Sequence, residues 1–321
     1  MSKAYINAIS YITPKNQLSN LDLAKEFPEW SAEKVADKVG IEKRFIASNI
    51  ESTSYLAIKA SEKLFKNNDI DRSIIDFVIL CTQSPDYALP TTACIIQDKL
   101  NLKKSCGAFD FNLGCSGYIY GLAIAKGFIE TNIAKNILFI TSETYSKFLS
   151  KDDKSNRTIF GDAASATLIS DNGIAKIKDF VLGSDGSGAE NLIVRNSGSL
   201  YNESYNNCLF MNGPEIFTFT LKSVPNLIES VLLKHNLEKE NIDLFIFHQA
   251  NKFMLNHLRK KIKIDQDKFY VFMSQVGNTV SSTIPIAIYH AINDNKIKKG
   301  DKVVLAGFGV GYSWGSTIIE F

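Results

Sequence analysis

Four short apolar runs punctuate the chain: "IDFVILC" (75–81), "NILFIT" (136–141), "IDLFIF" (242–247) and "KVVLA" (302–306). Each is only as long as a strand, and none alternates apolar with polar residues as a half-exposed strand does. They read as strands buried on both faces. A helical stretch from about Thr53 to Lys66 precedes the first run. Buried strands set between helical segments predict an α/β fold with a mostly parallel sheet.

The pattern also repeats. "NNDIDRSIIDFVILCTQSPD" (67–86) is echoed by "HNLEKENIDLFIFHQANKF" (235–253): helix tail, polar connection, an Ile-Asp pair, apolar strand, then a Gln two residues beyond. "FGDAASATLIS" (160–170) is echoed by "GVGYSWGSTIIEF" (309–321), a glycine-containing turn running into an apolar strand. The order is the same in both parts, which predicts two similar halves, 1–170 and 171–321. Two repeats are too few for a solenoid. A pseudo-symmetric pair packed face to face is expected, with function at the junction.

One apolar segment differs from the others. In "DFNLGCSGYIYGLAIAKGFIETN" (110–132), Cys115 stands between Gly114 and Gly117, before a helix apolar on nearly every face up to Lys126. Such a helix is buried. A thiol at its N-terminus meets free N–H groups and the positive end of the dipole, which lower a thiol pKa. Gly114 would permit the strand-to-helix turn and Gly117 the approach of a ligand. Cys115 is thus either an activated nucleophile or a small buried hydrophobe.

Composition narrows the alternatives. Of 321 residues 45% are hydrophobic and 22% charged, with net charge +2. That is ample for a core and too little charge for nucleic acid as the main ligand. No unbroken apolar run approaches the roughly 18 residues of a membrane span, and the N-terminus lacks a secretory pattern. A cytoplasmic protein is expected. The five cysteines, 81, 94, 106, 115 and 208, include no C-x-x-C; free thiols in a reducing compartment are expected.

Three further segments carry candidate chemistry. "FIFHQAN" (245–251) puts His248 directly after a strand, where α/β folds place function; a structural histidine is the alternative. "QVGNTVSSTIP" (275–285) has Asn278 in a turn, and turn formation alone explains an asparagine there. "GFGVGYSWG" (307–315) is no dinucleotide fingerprint, because six residues remain after Gly315. It is either a tight hairpin or a place where backbone N–H groups approach a reacting oxygen. Together these segments supply a nucleophile, two neutral hydrogen-bond donors and an oxyanion hole.

That ordered set resembles the β-ketoacyl-acyl carrier protein synthases III of the thiolase superfamily. "GIEKR" (40–44), "FGDAA" (160–164), "MNGPEIF" (211–217) and "FGVGYSWGS" (308–316) carry the resemblance over the whole chain. It implies a thiolase-like five-layered αβαβα fold with two pseudo-symmetric halves, and a homodimer. It implies that Cys115 becomes an acyl-enzyme. His248 and Asn278 would hold the thioester carbonyl of malonyl-acyl carrier protein during decarboxylation. The N–H groups of Cys115 and Val310 would form a second oxyanion hole, and Phe308 would pack near the departing carboxylate. Asn251 and Gly213 are implied in substrate binding, and Leu89 in flooring the partner's acyl pocket. No metal or redox cofactor is implied, because thioesters carry the activation.

Some positions depart from that pattern. Lys34, Lys38 and Lys154 stand where relatives using acetyl-CoA carry a tryptophan and an arginine around adenine and a further arginine. Phe253 replaces another arginine. A lysine does not stack as a ring or guanidinium does, so an acyltransferase passing its acyl group to a non-malonyl acceptor is the alternative. "LRKKIK" (258–263) with Lys252 is either a dock for an acidic carrier protein or a solvated helix face.

Overall fold

The computed structural model describes residues 3–321. The strands are β1 (Tyr5–Ile12), β2 (Asn16–Ser19), β3 (Lys43–Ile46), β4 (Phe77–Cys81), β5 (Gly107–Phe111), β6 (Asn136–Glu143), β7 (Ala163–Ser170), β8 (Ala175–Ser184), β9 (Leu192–Val194), β10 (Leu209–Met211), β11 (Leu244–Phe247), β12 (Phe269–Tyr270), β13 (Lys302–Gly309) and β14 (Ser313–Glu320). The helices are α1 (Asn20–Glu26), α2 (Ala32–Val39), α3 (Thr53–Asn67), α4 (Thr92–Lys99), α5 (Gly117–Glu130), α6 (Lys154–Arg157), α7 (Gly213–Lys234), α8 (Lys252–Ile262) and α9 (Thr283–Asn293).

Ten strands join in the order β12-β11-β13-β14-β8-β1-β7-β6-β4-β5. Among the described residues the fifth strand meets the sixth at two register pairs, Tyr5 with Lys176 and Ile6 with Ala175. On either side of that seam the same arrangement recurs. β4 lies parallel between β5 and β6 as β11 lies parallel between β12 and β13. β7 returns antiparallel beside β6 as β14 does beside β13. The two sequence echoes fall on β4 and β11, and on β7 and β14, which hold equivalent places.

Five layers result. α3 and α4 cover the first set of strands, α7 covers the second, and α8 packs on α7. Between them lie α5 and α9, each touching strands of both sets. This position explains the missing polar face of α5. Tyr118, Ile119, Leu122 and Ala125 are wholly buried. In α9, Ile284, Ala287, Ile288 and Ala291 fill the same central core. The expected α/β, five-layered fold is therefore the observed one.

Apolar length alone misleads at α7. Its 22 residues are long and apolar enough to cross a membrane, which the expectation of no spanning segment overlooked by counting unbroken runs. The cause of that apolarity is packing on β13 and β14, where Val224, Leu227, Ile228 and Val231 enter the core.

Candidate active site

Cys115 lies between β5 and α5, one residue before the helix N-cap Ser116. Ser116 shares a 2.6 Å hydrogen bond with Ser313 of β14, which pins this corner to the other half. Gly309 is what lets β13 pass Cys115. A Cβ there would stand 2.9 Å from Cys115 Cβ and 3.1 Å from Sγ. Gly117 has a different use from the expected one. Its missing side chain makes room for Cys81 Sγ, 2.2 Å from where a Cβ would be, and not for a ligand. The glycine-rich "GFGVGYSWG" is the hairpin joining β13 to β14, and at Gly309 it also borders the thiol.

His248 follows β11, its N–H bonded to Ala306 O of β13 at 2.8 Å. Its Nδ1 meets Thr283 Oγ1 at 2.7 Å. Its Nε2 lies 3.5 Å from Asn278 Nδ2. Asn278 is held from the first half: its N–H donates to Ile159 O, and its carbonyl accepts from Gly161 N–H. The side-chain Oδ1 accepts from Val280 N–H at 2.9 Å, leaving Nδ2 to face the histidine.

These three side chains border one cavity of about 360 Å³, also lined by Phe308, Asn251, Gly213, Lys34 and Lys38. Phe308 stands edge-on to His248 with ring centroids 5.8 Å apart. Cys115, His248, Asn278 and Phe308 are all buried. Burial holds the imidazole neutral by lowering its pKa to about 3. Burial also pushes the Cys115 thiol up to about 12, with the charge of Glu143 a second cause and the residue's own N–H opposing both. The expected lowering of the thiol pKa by the helix terminus is outweighed by desolvation.

Glu143 is absent from the sequence-derived set. It ends β6, wholly buried, and accepts from Ser281 Oγ, Gln83 N–H and Ser84 Oγ. Burial raises its pKa to about 8, so at neutral pH it is mostly uncharged. Nothing in its local sequence marks it, since its position depends on loops from both halves.

Two family profiles match the chain: 3-oxoacyl-[acyl-carrier-protein] synthase III over residues 109–186, and the C-terminal part of the same enzymes over 232–321. A β-ketoacyl-[acyl-carrier-protein] synthase III of Clostridium perfringens is 38% identical over the full length of both chains. The chain belongs to the β-ketoacyl-[acyl-carrier-protein] synthase III family. A solved 3-oxoacyl-(acyl-carrier-protein) synthase III is 44% identical, covers 99% of this chain and 100% of its own, and gives a TM-score of 0.94. The β-ketoacyl synthase III of Thermus thermophilus is 31% identical with a TM-score of 0.92 over 99% of each chain. Membership in the synthase III family makes the chain an acyltransferase of the condensing class, of fatty acid biosynthesis.

The mouth of this synthase III cavity holds a residue that sequence reading missed. Lys34 and Lys38 do line it, on α2, but Trp30 lines it too. Lys38 Nζ lies 5.4 Å from the Trp30 ring centre. The aromatic ring sought at position 34 is thus present one turn earlier. Lys154 is not among the cavity-lining residues and pairs with Glu29. Leu89 lies away from the cavity, 83% exposed. Val310 borders a neighbouring depression with Gln83 and Tyr145. Phe253 is half exposed and packs on His257 and Phe217.

Proposed function

We propose that this chain condenses an acyl group held on Cys115 with malonyl-acyl carrier protein. The observation that carries the reading is the convergence of a thiol, a neutral imidazole and a carboxamide on one mostly apolar cavity. Residues 1–170 supply Cys115, and residues 171–321 supply His248 and Asn278. In the first step Cys115 Sγ displaces the thiol of an acyl thioester. One S–H is consumed and one released, so the cysteine proton leaves on the departing thiol. The N–H groups of Cys115 and Val310 would receive the developing oxyanion. In the second step the malonyl C–CO2 bond breaks and its electron pair moves into the thioester, giving an enolate. His248 and Asn278 hold the enolate oxygen; Phe308 packs where the carboxylate departs. The enolate carbon then attacks the acyl carbonyl, and Cys115 leaves as the thiolate. Two fixed donors in a desolvated site stabilise the enolate without removing a proton. No metal or redox cofactor is needed.

Asn251 and Gly213 border the substrate path, and Lys34 and Lys38 lie at its entrance. Lys252, Lys260 and Lys261 on α8 offer positive charge to an acidic carrier. β5 ends the sheet with one side unpaired, and such an edge is a template for a second copy. With Leu89 exposed nearby in sequence, a homodimer through this edge is our reading. The five unpaired cysteines fit a reducing cytoplasm.

The test is to incubate the protein with acyl thioesters and malonyl-carrier protein. Release of CO2 with a 3-oxoacyl product supports the reading. An acyl-Cys115 that turns over only with an amine or hydroxyl acceptor rejects it in favour of simple acyl transfer.

A further inference from the structure

The enolate site asks for two donors side by side, Nδ2–H of Asn278 and Nε2–H of His248. The carboxamide is oriented by Val280 N–H donating to its Oδ1. The imidazole is a different matter, because a neutral ring carries one proton and either nitrogen can hold it. If Nδ1 holds it, Nε2 is a lone pair facing the carbonyl it should polarise, and the site has one donor where it needs two.

Thr283 stands where this choice is made. It opens α9, is 3% exposed, and places Oγ1 2.7 Å from His248 Nδ1. The same hydroxyl has a second outlet, Val280 O at 3.0 Å. That carbonyl already accepts the backbone N–H of Thr283, so it is satisfied without the hydroxyl. A bare Nδ1 has Thr283 Oγ1 as its hydrogen-bond partner in the structure, and an unmet buried acceptor is costly. The satisfied carbonyl leaves the hydroxyl proton free for the ring, and in the opposite tautomer a bare Nε2 would meet Asn278 Nδ2 at 3.5 Å, the long limit of a hydrogen bond, against 2.7 Å at Nδ1.

We propose that Thr283 is a positioning residue that donates its hydroxyl to His248 Nδ1 and so fixes the Nε2–H tautomer. This rests on the reading that His248 and Asn278 receive the enolate oxygen. The threonine acts through the histidine and touches no substrate. Val280 O lies 3.0 Å from the same hydroxyl that meets the ring, which gives the arrangement its consequence. Once the hydroxyl is removed, Nδ1 gains its stability by holding a proton and donating it to that carbonyl. The tautomer then reverses.

The experiment uses the full chain labelled with 15N at histidine. Long-range proton–nitrogen spectra, with His248 assigned by its absence in His248→Ala, report which nitrogen is protonated. The wild type and Thr283→Ser are expected to carry the proton on Nε2, and Thr283→Val on Nδ1. In parallel, decarboxylation of malonyl-carrier protein should fall on the order of 100-fold in Thr283→Val. Transfer of an acyl group onto Cys115 should stay near the wild-type rate, and serine should restore decarboxylation. A wild-type histidine protonated on Nδ1 overturns the inference, even if the valine variant does not fold. So does a valine variant that keeps both Nε2–H and wild-type decarboxylation. If the tautomer responds as stated while the wild type never consumes malonyl thioester, the positioning role of Thr283 stands and the condensation reading falls.

Discussion

Ser281 donates its hydroxyl to Glu143 at 2.8 Å, and this bond ties the loop that carries Asn278 to the end of β6. The carboxyl it reaches is wholly buried and sits close enough to Cys115 for its charge to raise the thiol pKa. An ionised Glu143 therefore opposes thiolate formation, and a protonated one does not.

Glu143→Gln should alter the reactivity of Cys115 with pH. In the wild type Glu143 ionises near pH 8, so the rise in thiolate with pH is held back above that point. The glutamine variant lacks this restraint. Iodoacetamide labelling of Cys115, followed by mass spectrometry across the alkaline range, should show faster alkylation in Glu143→Gln above about pH 8 and little difference below it. Equal profiles would show that Glu143 is electrostatically remote from the thiol.

The same substitution should change stability with pH. The folded pKa of Glu143 lies above its ordinary 4.5, at about 8. Its protonated form thus stabilises the fold fully below pH 4.5, and that contribution is lost as pH rises to 8, at about 1.4 kcal/mol per pKa unit. Asp162, raised from 3.8 to about 6, acts in the same direction over a lower window. His248, lowered from 6.5 to about 3, acts in the opposite direction, with stability lost as pH falls through 6.5. Only the Glu143 contribution is removed in Glu143→Gln. Urea unfolding should show the variant gaining on the wild type as pH goes from 4.5 to 8, with no gain below.

His248→Ala and Asn278→Ala should separate the two half-reactions. Under the proposed division of roles each removes one enolate donor, a loss on the order of 100- to 1,000-fold in decarboxylation. Loading of Cys115, read as an acyl mass adduct, should survive in both variants and vanish in Cys115→Ala. Equal loss of loading and condensation would contradict the division of roles.

Gly309→Ala should impair loading. The added methyl would fall 2.9 Å from Cys115 Cβ, so Cys115 or β13 must move. A misplacement of about 1 Å at a reacting group costs about 100-fold in rate. Circular dichroism should remain that of the folded protein. A fully active Gly309→Ala would show that the two backbones separate freely.

Trp30→Ala tests the mouth of the cavity. A ring stacked on a nucleotide base contributes about 1–3 kcal/mol, so KM for an acyl-CoA donor should rise on the order of tenfold or more while kcat holds. An unchanged KM with acyl-CoA would remove Trp30 from donor recognition.

The strands were legible because burial on both faces leaves an unbroken apolar run. "NILFIT" became Asn136–Glu143, extended by the polar Ser142 and Glu143, and "KVVLA" became Lys302–Gly309, extended through two glycines that flank Phe308. "IDFVILC" lost its first two residues, since a short helical turn, Arg72–Ile74, precedes β4. The candidates Cys115, His248 and Asn278 stood out by their neighbours, glycines, strand ends and turns, and the fold brings them to one cavity. Glu143, Thr283 and Trp30 were not. A carboxylate at a strand end, a threonine opening a helix and a tryptophan in a polar loop all have ordinary local explanations, and only tertiary proximity gives them more. Gly117 shows the converse, a glycine whose chemistry-like setting serves packing against Cys81.

The backbone of Asn278 is laced to Phe160 and its neighbours from the opposite half, and that lacing makes the geometry of the site a joint property of both. Neither repeat assembles a working centre while the other is still unstructured. The two repeats are thus bound into one unit: a change at Ile159 or Gly161 reaches the carboxamide as directly as a change in its own turn.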